Sequence, residues 1–366
     1  MNELETAREQ IVNIDAEMAR LFEARMQACD AIADYKKAHG LPIKDAVREA
    51  ALIARNRKLI GDAEVERDYV RFLQGIIGVS CDHQARRIHG RRVSYSGVEG
   101  AFAQIAAKKM FPEAELVAVS DFVESYRAVE RGEFDCAVLP LENSYAGEVG
   151  TVMDLLFSGS LYINQVVDLP IVHNLIACEG AAMDSIRTVL SHPQALHQCA
   201  DYLRRHGYAG EAYSNTALAA KHVKELGDPT VAAIASEETA RLFGLKLLDG
   251  GINDSRNNTT RFAALSRAQN RPDCTGKPSD ENFILLFTVP NTAGALAQIL
   301  NIIGAHGYNM RSLRSRPQKE LQWSYFFYAE LEGDVNCQNG RDLLQELSAV
   351  CAQLRLVGNY DAAQVV

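Results

Sequence analysis

The feature that most constrains this chain is an uninterrupted amphipathic pattern at its amino-terminal end. Apolar residues recur there at alternating spacings of three and four, which predicts one long helix with a heptad seam. The seam consists of Leu4, Ala7, Ile11, Ile14, Met18, Leu21, Ala28, Ile32 and Tyr35. Neither glycine nor proline interrupts it before Gly40 and Pro42, so the helix could extend roughly 54 Å.

Only two short helical patterns follow, over about 45–60 and about 64–85, separated by Gly61-Asp62. They offer too little surface to cover a helix of that length. We therefore predict that residues 1–90 form an all-helical domain that pairs with a second copy of the chain.

Charged residues occupy positions in these helices where the pattern favours aliphatic ones. Arg25 falls on the seam, Lys36 projects nearly the same way three turns later, and Arg8 lies about 100° around the helix from Arg25. Polar residues also share faces on the later helices: Asp45, Arg48 and Glu49, and then Ser80 and Gln84. Either Arg25 extends to solvent among surface residues, or these groups line a pocket for a ligand with two carboxylates. The pocket is favoured by the cost of burying an unpaired arginine.

Residues 91–267 alternate short apolar runs with helical patterns, which predicts an α/β architecture with largely parallel sheets, arranged as two lobes around a cleft. The predicted strands are 92–95, 115–119, 136–140, 165–169, 174–178, 189–191, 231–235 and 262–265. The predicted helices lie near 100–110, 121–131, 194–206, 215–227 and 237–243.

The remaining residues begin with a polar segment rich in helix-breaking residues, 268–282, which we interpret as a linker. Residues 283–366 then follow the order β-α-β-β-α-β of the ferredoxin-like split unit, an α+β fold. Its predicted elements are strand 283–289, helix 294–304, strands 309–315 and 322–331, helix 341–352 and strand 354–360.

Composition excludes several function classes. The net charge is −9, which argues against a sequence-independent grip on nucleic acid. No apolar run approaches the ~20 residues of a membrane span, and the first residues lack the apolar stretch of a secretory signal. The eight cysteines lie far apart without a C-x-x-C pair, and the histidines lack ligand spacing. We therefore expect a cytoplasmic protein without a metal or a cofactor.

The first 90 residues resemble the helical chorismate mutase family. The match consists of Arg8, Asp15, Arg25, Lys36, Pro42, Asp45, Arg48, Glu49, Ser80 and Gln84, in the same order and spacing. The resemblance implies a domain-crossed dimer in which Arg8 reaches the active site of the other chain. It also implies a Claisen rearrangement of chorismate to prephenate. Arg8, Arg25 and Arg48 would then hold carboxylates, assisted by Ser80. Lys36 and Gln84 would donate to the ether oxygen, and Glu49 would accept from the ring hydroxyl.

Four polar motifs in the central segment each have an ordinary interpretation as turns or helix caps. They are Gly97–Gly100, Pro140–Ser144, Ser191–Cys199 and Thr259–Phe262. Ser191 or Ser214, for example, could cap a helix. The first motif is not G-x-G-x-x-G, which makes a nicotinamide site a weak interpretation.

Taken together and in this order, the motifs closely resemble prephenate dehydratase over about 92–267. The resemblance implies that Thr260 assists departure of the ring hydroxyl, by a relay or by a hydrogen bond alone. The residues it assigns to the substrate are Asn143, Ser144, His173, Ser191, Gln198, Thr216, Thr260 and Arg261. His173 has an equal claim to be a satisfied core histidine on its apolar strand.

The last segment resembles the ACT regulatory domain that is fused to dehydratases and binds phenylalanine between paired domains. The candidate effector residues are Gly294, Ala295, Leu296, Arg314, Ser315 and Arg316. Arg314 stands where the family's motif usually has glutamate, so the charge is reversed.

The resemblances together imply a bifunctional enzyme of phenylalanine synthesis that makes prephenate and then phenylpyruvate. Phenylalanine is the expected feedback inhibitor, and a homodimer or a larger homo-oligomer is the expected assembly. The dehydratase domain is expected to have a two-lobed, periplasmic-binding-protein-like fold. One alternative is a mutase fused to a dehydrogenase, but the dinucleotide fingerprint is missing. Another is an amino-acid-binding module with a helical dimerisation handle, which would have no use for Arg25 in the seam.

Overall fold

The structure is a computed structural model that describes residues 2–255, 257–269, 281–318, 325–361 and 364–366. It divides into two compact units, Met1–Arg92 and Val93–Val366. Residues 270–280 of the predicted linker, with Cys274, lie outside the described residues, as do residues 322–324 of one predicted strand.

The first unit is helical, as predicted. Its elements are α1 (Glu3–His39), α2 (Ala46–Asn56), a short 3-10 turn (Arg57–Leu59) and α3 (Ala63–His89). Asn2 and Glu5 form a capping box at the start of α1, and Gly40, with φ of 63°, ends it in the left-handed conformation. The third helix runs four residues further than the pattern indicated.

Helices α1 and α3 pack only over the second half of α1. Cys29 and Ala33 are buried there, and the Asp34 carboxylate pairs with Arg87 at 3.1 Å. By contrast, every residue from 2 to 24 is exposed within this unit. The apolar seam of the first half of α1 therefore has no cover from its own unit.

The second unit contains nine helices and sixteen strands among the residues that the structure describes. The helices are α4 (Phe102–Met110), α5 (Phe122–Glu130), α6 (Gly150–Ser158), α7 (Pro193–Gln198), α8 (Ala200–His206), α9 (Thr216–Leu226), α10 (Glu237–Phe243), α11 (Ala295–Ala305) and α12 (Gln338–Val350). The first ten strands are β1 (Arg92–Ser96), β2 (Glu115–Val119), β3 (Cys136–Asn143), β4 (Gly147–Glu148), β5 (Tyr162–Pro170), β6 (Asn174–Ala177), β7 (Thr188–Ser191), β8 (Ala209–Ala212), β9 (Val231–Ala235) and β10 (Lys246–Asp249). The remaining strands are β11 (Thr259–Ser266), β12 (Glu281–Thr288), β13 (Asn309–Pro317), β14 (Tyr325–Glu332), β15 (Gln353–Asp361) and β16 (Gln364–Val365).

These strands form two sheets, so the prediction of two α/β lobes is confirmed. The larger sheet has the order β13-β14-β12-β15-β5-β11-β3-β1-β2, and the smaller has the order β10-β6-β9-β7-β8. The prediction of largely parallel sheets was wrong. The chain leaves the first lobe after β5 and returns as β11, which runs antiparallel to both β3 and β5. In the second lobe, β6 is likewise antiparallel to β9 and β10.

Other elements differ from the prediction in detail. Helix α6 and the short strands β4, β8, β10 and β16 were not predicted. The helix predicted over 194–206 is two helices that meet at Cys199, which is the C-cap of one and the N-cap of the other.

The C-terminal segment, residues 283–366 (the tail), has the predicted β-α-β-β-α-β order. Its sheet continues the sheet of the first lobe. Strand β15 lies parallel to β5 where Gly358 faces Ile163. A Cβ at Gly358 would lie 2.8 Å from the Ile163 Cβ, so only glycine permits this approach. One face of the tail sheet, with Leu286 and Tyr328, joins the core of the first lobe. Helices α11 and α12 cover the other face.

None of the helices in the described part of the chain combines the length and apolar character needed to cross a lipid bilayer.

Candidate active sites

A cavity of about 170 Å³ lies among the three helices of the first unit. All of the polar residues predicted for this site except Arg8 line it: Arg25, Lys36, Asp45, Arg48, Glu49, Ser80 and Gln84. Its apolar lining is Ala28, Cys29, Ile32, Ile43, Leu52 and Ile77, with the Cys81 thiol beside them. Arg25 and Lys36, which lie about three turns apart on one face of α1, thus both line this cavity, as their spacing predicts.

Neighbouring groups hold the cationic side chains in this cavity. Arg25 donates from Nε to Ser80 Oγ at 3.0 Å, and Ser80 donates in turn to the Ile76 carbonyl at 2.6 Å. Lys36 Nζ donates to the Ile43 carbonyl at 2.5 Å and to Gln84 Oε1 at 3.1 Å. Because Ser80 takes only Nε, the two terminal nitrogens of Arg25 can bind a carboxylate. Since Oε1 of Gln84 accepts from Lys36, its amide NH₂ can donate to a ligand.

Helix α2 begins at this cavity. Asp45 caps it by accepting from the Arg48 amide at 3.0 Å. Glu49 Oε1 lies 3.3 Å from the Asp45 amide and 3.8 Å from Cys81 Sγ, which donates to it. Burial, and then the Glu49 charge, raise the pKa of the Cys81 thiol. Cys81 was not predicted to belong to the site, because it is not part of a spacing pattern of polar residues.

Arg8 lies elsewhere. It is exposed in the uncovered half of α1, and 17 residues separate it from Arg25, roughly 25 Å along the helix axis. The cavity therefore does not include the Arg8 of its own chain.

A second cavity, of about 460 Å³, lies between the two lobes of the second unit. Five of the predicted residues line it: Asn143, His173, Gln198, Thr216 and Thr260. They come from β3 and β11 in the first lobe, from the segment that enters the second lobe, and from helices α7 and α9.

A chain of hydrogen bonds crosses the wall of this cavity. Asn143 Nδ2 donates to Thr260 Oγ1 at 2.9 Å and to Asn258 Oδ1 at 2.8 Å. Asn258 Nδ2 donates to Gln198 Oε1 at 3.1 Å, and His173 Nε2 lies 2.9 Å from the same oxygen. Because Thr260 accepts from Asn143, its own hydroxyl proton can point to a ligand. Asn258 was missed, although it directly precedes the Thr-Thr-Arg-Phe motif.

Within this hydrogen-bond network, two buried polar atoms lack a partner among the described residues: His173 Nδ1 and Gln198 Nε2. Burial lowers the pKa of His173, and the bond to Gln198 opposes this only in part. The ring is therefore neutral near pH 7, with Nε2 as the donor and Nδ1 as an acceptor. His173 is thus both a buried histidine and a cavity residue, so the two interpretations of it are compatible.

Several helices begin at the wall of the second cavity. Its lining includes Ala101 and Phe102 at the start of α4, Val149 before α6 and Asn215 before α9. Neither α4 nor α6 has a side-chain cap, so their first amides are available. Helix N-termini carry partial positive charge and favour anions. Among the described residues that line this cavity, none is lysine or arginine.

Comparison with known proteins assigns both units. The family model for type II chorismate mutase matches residues 7–85, prephenate dehydratase matches 93–270, and the ACT domain matches 283–349. A bifunctional chorismate mutase/prephenate dehydratase of Neisseria gonorrhoeae (strain ATCC 700825 / FA 1090) is 32% identical over 363 residues, which cover 97% of this chain and 96% of the relative. The chain belongs to this bifunctional family.

Solved structures match the second unit. A prephenate dehydratase of Arthrobacter aurescens, in complex with L-Phe, matches with a TM-score of 0.67 and 27% identity over 74% of this chain and 89% of that one. GqqA, described as a quorum-quenching acylase, matches with the same TM-score and 30% identity over 75% of this chain and 98% of that one. The fold of the second unit thus occurs with more than one described activity. The family assignment rests on the full-length relative.

The dehydratase domain does not bring Ser144, Ser191 or Arg261 to its cavity. Ser144 Oγ donates to the Asn257 carbonyl at 2.7 Å and accepts from the Thr259 amide at 2.9 Å, so it ties two strand ends together. Ser191 Oγ donates to the Ile234 carbonyl at 2.7 Å between two strands. The helices that Ser191 and Ser214 could have capped are instead capped by His192 and Asn215.

The Arg261 guanidinium faces away from the dehydratase cavity. It pairs with Asp168 at 2.9 Å and with Glu330 of the ACT domain at 3.3 Å. The hydrogen bond to Asp168 raises the pKa of Arg261 further. It follows that a substrate carboxylate would have to compete with two acidic residues for this arginine.

The ACT domain divides its predicted effector residues between two places. Leu296 lines a cavity of about 500 Å³ with Thr292 and Phe327, and Gly294, with φ of 85°, is the N-cap of α11 nearby. Ala295 follows Gly294 as the first residue of that helix, outside the cavity lining. Arg314, Ser315 and Arg316 lie on β13, also outside this cavity.

Proposed function

We propose that the helical domain converts chorismate to prephenate, and that the dehydratase domain converts prephenate to phenylpyruvate under inhibition by phenylalanine. The observation that carries the proposal is that seven of the eight predicted mutase residues line one cavity and five of the eight predicted dehydratase residues line another. We also propose the domain limits 1–90, 91–267 and 283–366, joined by the linker 268–282. The cysteines in the described part of the chain are free thiols, which supports a cytoplasmic location.

In the mutase cavity, the protein needs to perform no covalent step. The ether C–O bond of chorismate breaks as the new C–C bond forms, and negative charge develops on the ether oxygen. Lys36 and the Gln84 amide donate to that oxygen, which stabilises the transition state more than the ground state. Arg25 and Arg48 hold the carboxylates in a compact conformer, with Ser80 fixing Arg25. Glu49 accepts from the ring hydroxyl, and Asp45 fixes the start of α2.

In the dehydratase cavity, the C–C bond to the ring carboxylate breaks and its electron pair enters the ring. The ring hydroxyl leaves as water as carbon dioxide departs, so it must gain one proton, which solvent supplies in the net reaction. Thr260 donates a hydrogen bond to that hydroxyl, supported by Asn143. Gln198 Nε2, His173 Nδ1 and the start of α9 at Thr216 orient the substrate.

We further propose a domain-crossed dimer in which the first half of α1 packs on the other chain. Its seam residues are half exposed or nearly so: Leu4 at 56%, Ile11 at 58%, Ile14 at 58%, Met18 at 43% and Leu21 at 53%. A stripe of this kind is typical of a helix with an absent partner. In such a dimer, Arg8 completes the mutase cavity of the partner subunit.

Subunit mixing tests the exchange of Arg8. Arg8→Ala and Arg25→Ala variants, each inactive as a mutase, are co-expressed and purified together. If Arg8 acts in the partner's cavity, about one quarter of the mutase sites in the mixture have both arginines. Mutase activity should then return to about one quarter of the wild-type level. Mutase activity that stays absent in the mixture, or an Arg8→Ala variant that is fully active alone, contradicts the crossed dimer.

Allosteric inhibition by phenylalanine is supported by the ACT domain and its cavity near Leu296. The related dehydratase of Arthrobacter aurescens was solved in complex with L-Phe. We expect dehydratase turnover to fall as phenylalanine is added, while mutase turnover stays unchanged. A dehydratase rate that does not respond to phenylalanine contradicts this part of the proposal.

The decisive experiment supplies the purified protein with chorismate and follows prephenate and phenylpyruvate separately. The expected result is prephenate first and phenylpyruvate after it. If chorismate is not consumed, the mutase assignment fails. If prephenate accumulates without phenylpyruvate, the dehydratase assignment fails.

A further inference from the structure

We propose that Asn253 is a positioning residue of the dehydratase, because its side chain joins the two segments that connect the lobes and so fixes where His173 meets Gln198. Asn253 is not part of the cavity lining. Its role rests on the dehydratase function proposed above and extends that function to a residue outside the cavity.

The chain passes between the two lobes of the dehydratase domain twice. It leaves the first lobe between β5 and β6, through an outgoing segment, residues 171–173. It comes back between β10 and β11, through a returning segment that includes Asn253. Asn253 follows His173 by 80 residues, so only the fold brings the two segments together.

The Asn253 side chain bridges these segments. Its Oδ1 accepts from the His173 amide at 2.7 Å, and its Nδ2 donates to the Ile171 carbonyl at 2.9 Å. One side-chain amide thus supplies both an acceptor and a donor, as a neighbouring backbone would. Because both partners are main-chain groups, the contact fixes the backbone of the outgoing segment and not the rotamer of one side chain.

The two residues whose backbone Asn253 holds are cavity residues. Ile171 and His173 are buried and line the dehydratase cavity. Val172, between them, is 47% exposed and lies outside the lining. The His173 ring also packs edge-on against Phe102 at the start of α4, with ring centres 5.8 Å apart. A shift of the outgoing segment would therefore displace part of the cavity wall.

The neighbours of Asn253 in sequence hold the same part of the site. The Ile252 amide donates to the His173 carbonyl at 2.9 Å, and the Asp254 amide donates to the Gln198 carbonyl at 2.8 Å. His173 is thus held at its carbonyl by Ile252 and at its amide by Asn253. Three consecutive residues of the returning segment therefore support both members of the His173–Gln198 pair, whose side chains meet at 2.9 Å.

The aim of the His173 ring depends on this support. Its bond to Gln198 fixes the ring relative to the second lobe, whereas the Asn253 bonds fix its backbone relative to the returning segment. That segment leads directly into β11, which carries Thr260. Asn253 thereby sets the distance between the unpartnered Nδ1 of His173 and the Thr260 hydroxyl. Since rates depend steeply on the placement of orienting groups, we expect Asn253 to affect kcat more than substrate affinity.

The test combines substitutions at Asn253 and His173 in the full-length protein. Asn253→Ala removes both bonds, and we expect dehydratase kcat to fall roughly tenfold, with KM for prephenate changed much less. His173→Gln removes the acceptor at Nδ1 and should lower kcat by itself. If Asn253 acts through His173, the double variant has about the kcat of His173→Gln alone. If Asn253 only stabilises the domain, the two losses multiply.

Asn164→Ala is the matched control. Asn164 also joins distant segments, since its Nδ2 donates to Ser266 Oγ at 2.6 Å and to the Ala268 carbonyl at 2.7 Å. It lies on β5, outside the cavity lining. We expect Asn164→Ala to retain dehydratase kcat, and all of these variants to retain mutase activity.

Four results would overturn the proposal: a wild-type kcat in Asn253→Ala, a wild-type kcat in His173→Gln, losses that multiply in the double variant, or an equal loss in Asn164→Ala. If Asn253→Ala does not fold, Asn253→Asp takes its place. It keeps the shape of the side chain but turns a carboxylate oxygen toward the Ile171 carbonyl, and a wild-type kcat there overturns the proposal equally. Absence of dehydratase activity in the wild-type protein would instead refute the proposed function.

Discussion

The two proposed active sites accept dianionic substrates by different means. The lining of the mutase cavity includes Arg25, Lys36 and Arg48. The described lining of the dehydratase cavity contains no lysine or arginine, and its polar side chains are amides, threonine hydroxyls, histidines and the Glu148 carboxylate, beside helix N-termini. The chemistry accounts for the difference. The mutase keeps both carboxylates and builds charge on an ether oxygen, which a cation stabilises. The dehydratase must release one carboxylate as carbon dioxide, and an arginine paired with it would stabilise the ground state and slow its loss.

The largest effect should come from removing a mutase cation. We expect Arg25→Ala to lower mutase kcat/KM by roughly 100-fold or more, because a substrate carboxylate loses its fork of donors. Dehydratase activity with added prephenate should not change. Steady-state kinetics on both substrates measure this, and Arg20→Ala serves as the control because Arg20 is exposed on the same helix and pairs with Glu17. Loss of both activities in a folded Arg25→Ala protein would contradict two separate sites.

Thr260→Val should have the reverse selectivity. It removes the hydroxyl while keeping the shape and the strand, and we expect dehydratase kcat to fall roughly 100-fold with mutase activity intact. Thr259→Val is the control, since it changes the neighbouring residue on the opposite face of β11. Equal losses in the two variants would mean that the strand, and not the Thr260 hydroxyl, is what matters.

The two regions also differ in how far the sequence alone predicts them. In the helical domain, the spacing between Arg25 and Lys36 places both on one wall, because helix geometry is local. In the dehydratase domain, the face on which Arg261 lies depends on its pairing with a strand more than 100 residues earlier, which spacing does not reveal. Helix α6 was missed for a related reason. It is apolar along most of its length and largely buried, so it lacks an amphipathic period.

A substitution at Asn258 should have a smaller effect on dehydratase activity. Asn258 belongs to the network of uncharged hydrogen-bonding groups that stands in the dehydratase cavity where the mutase cavity has cations. Asn258→Ala breaks the link between Asn143 and Gln198, and we expect dehydratase kcat to fall about tenfold, within the range of one lost buried hydrogen bond. The adjacent Asn257→Ala changes an exposed side chain and should be close to wild type. If the two variants behave alike in prephenate kinetics, the network does not contribute to catalysis.

The smallest expected effect is on stability, and it concerns how the melting temperature of the dehydratase domain depends on pH. The folded dehydratase domain lowers the pKa of His173 through burial, whereas in the unfolded chain the pKa lies near 6.5. As the pH falls below that value, the unfolded chain takes up a proton that the folded domain resists, so stability decreases. We expect the dehydratase melting temperature to fall more steeply between pH 7.5 and 5.5 in the wild type than in His173→Gln. His206→Gln, which replaces an exposed histidine of the same unit, should follow the wild-type curve. If wild type and His173→Gln respond identically, the buried ring is not kept neutral by its site, and its assignment as an acceptor at Nδ1 fails.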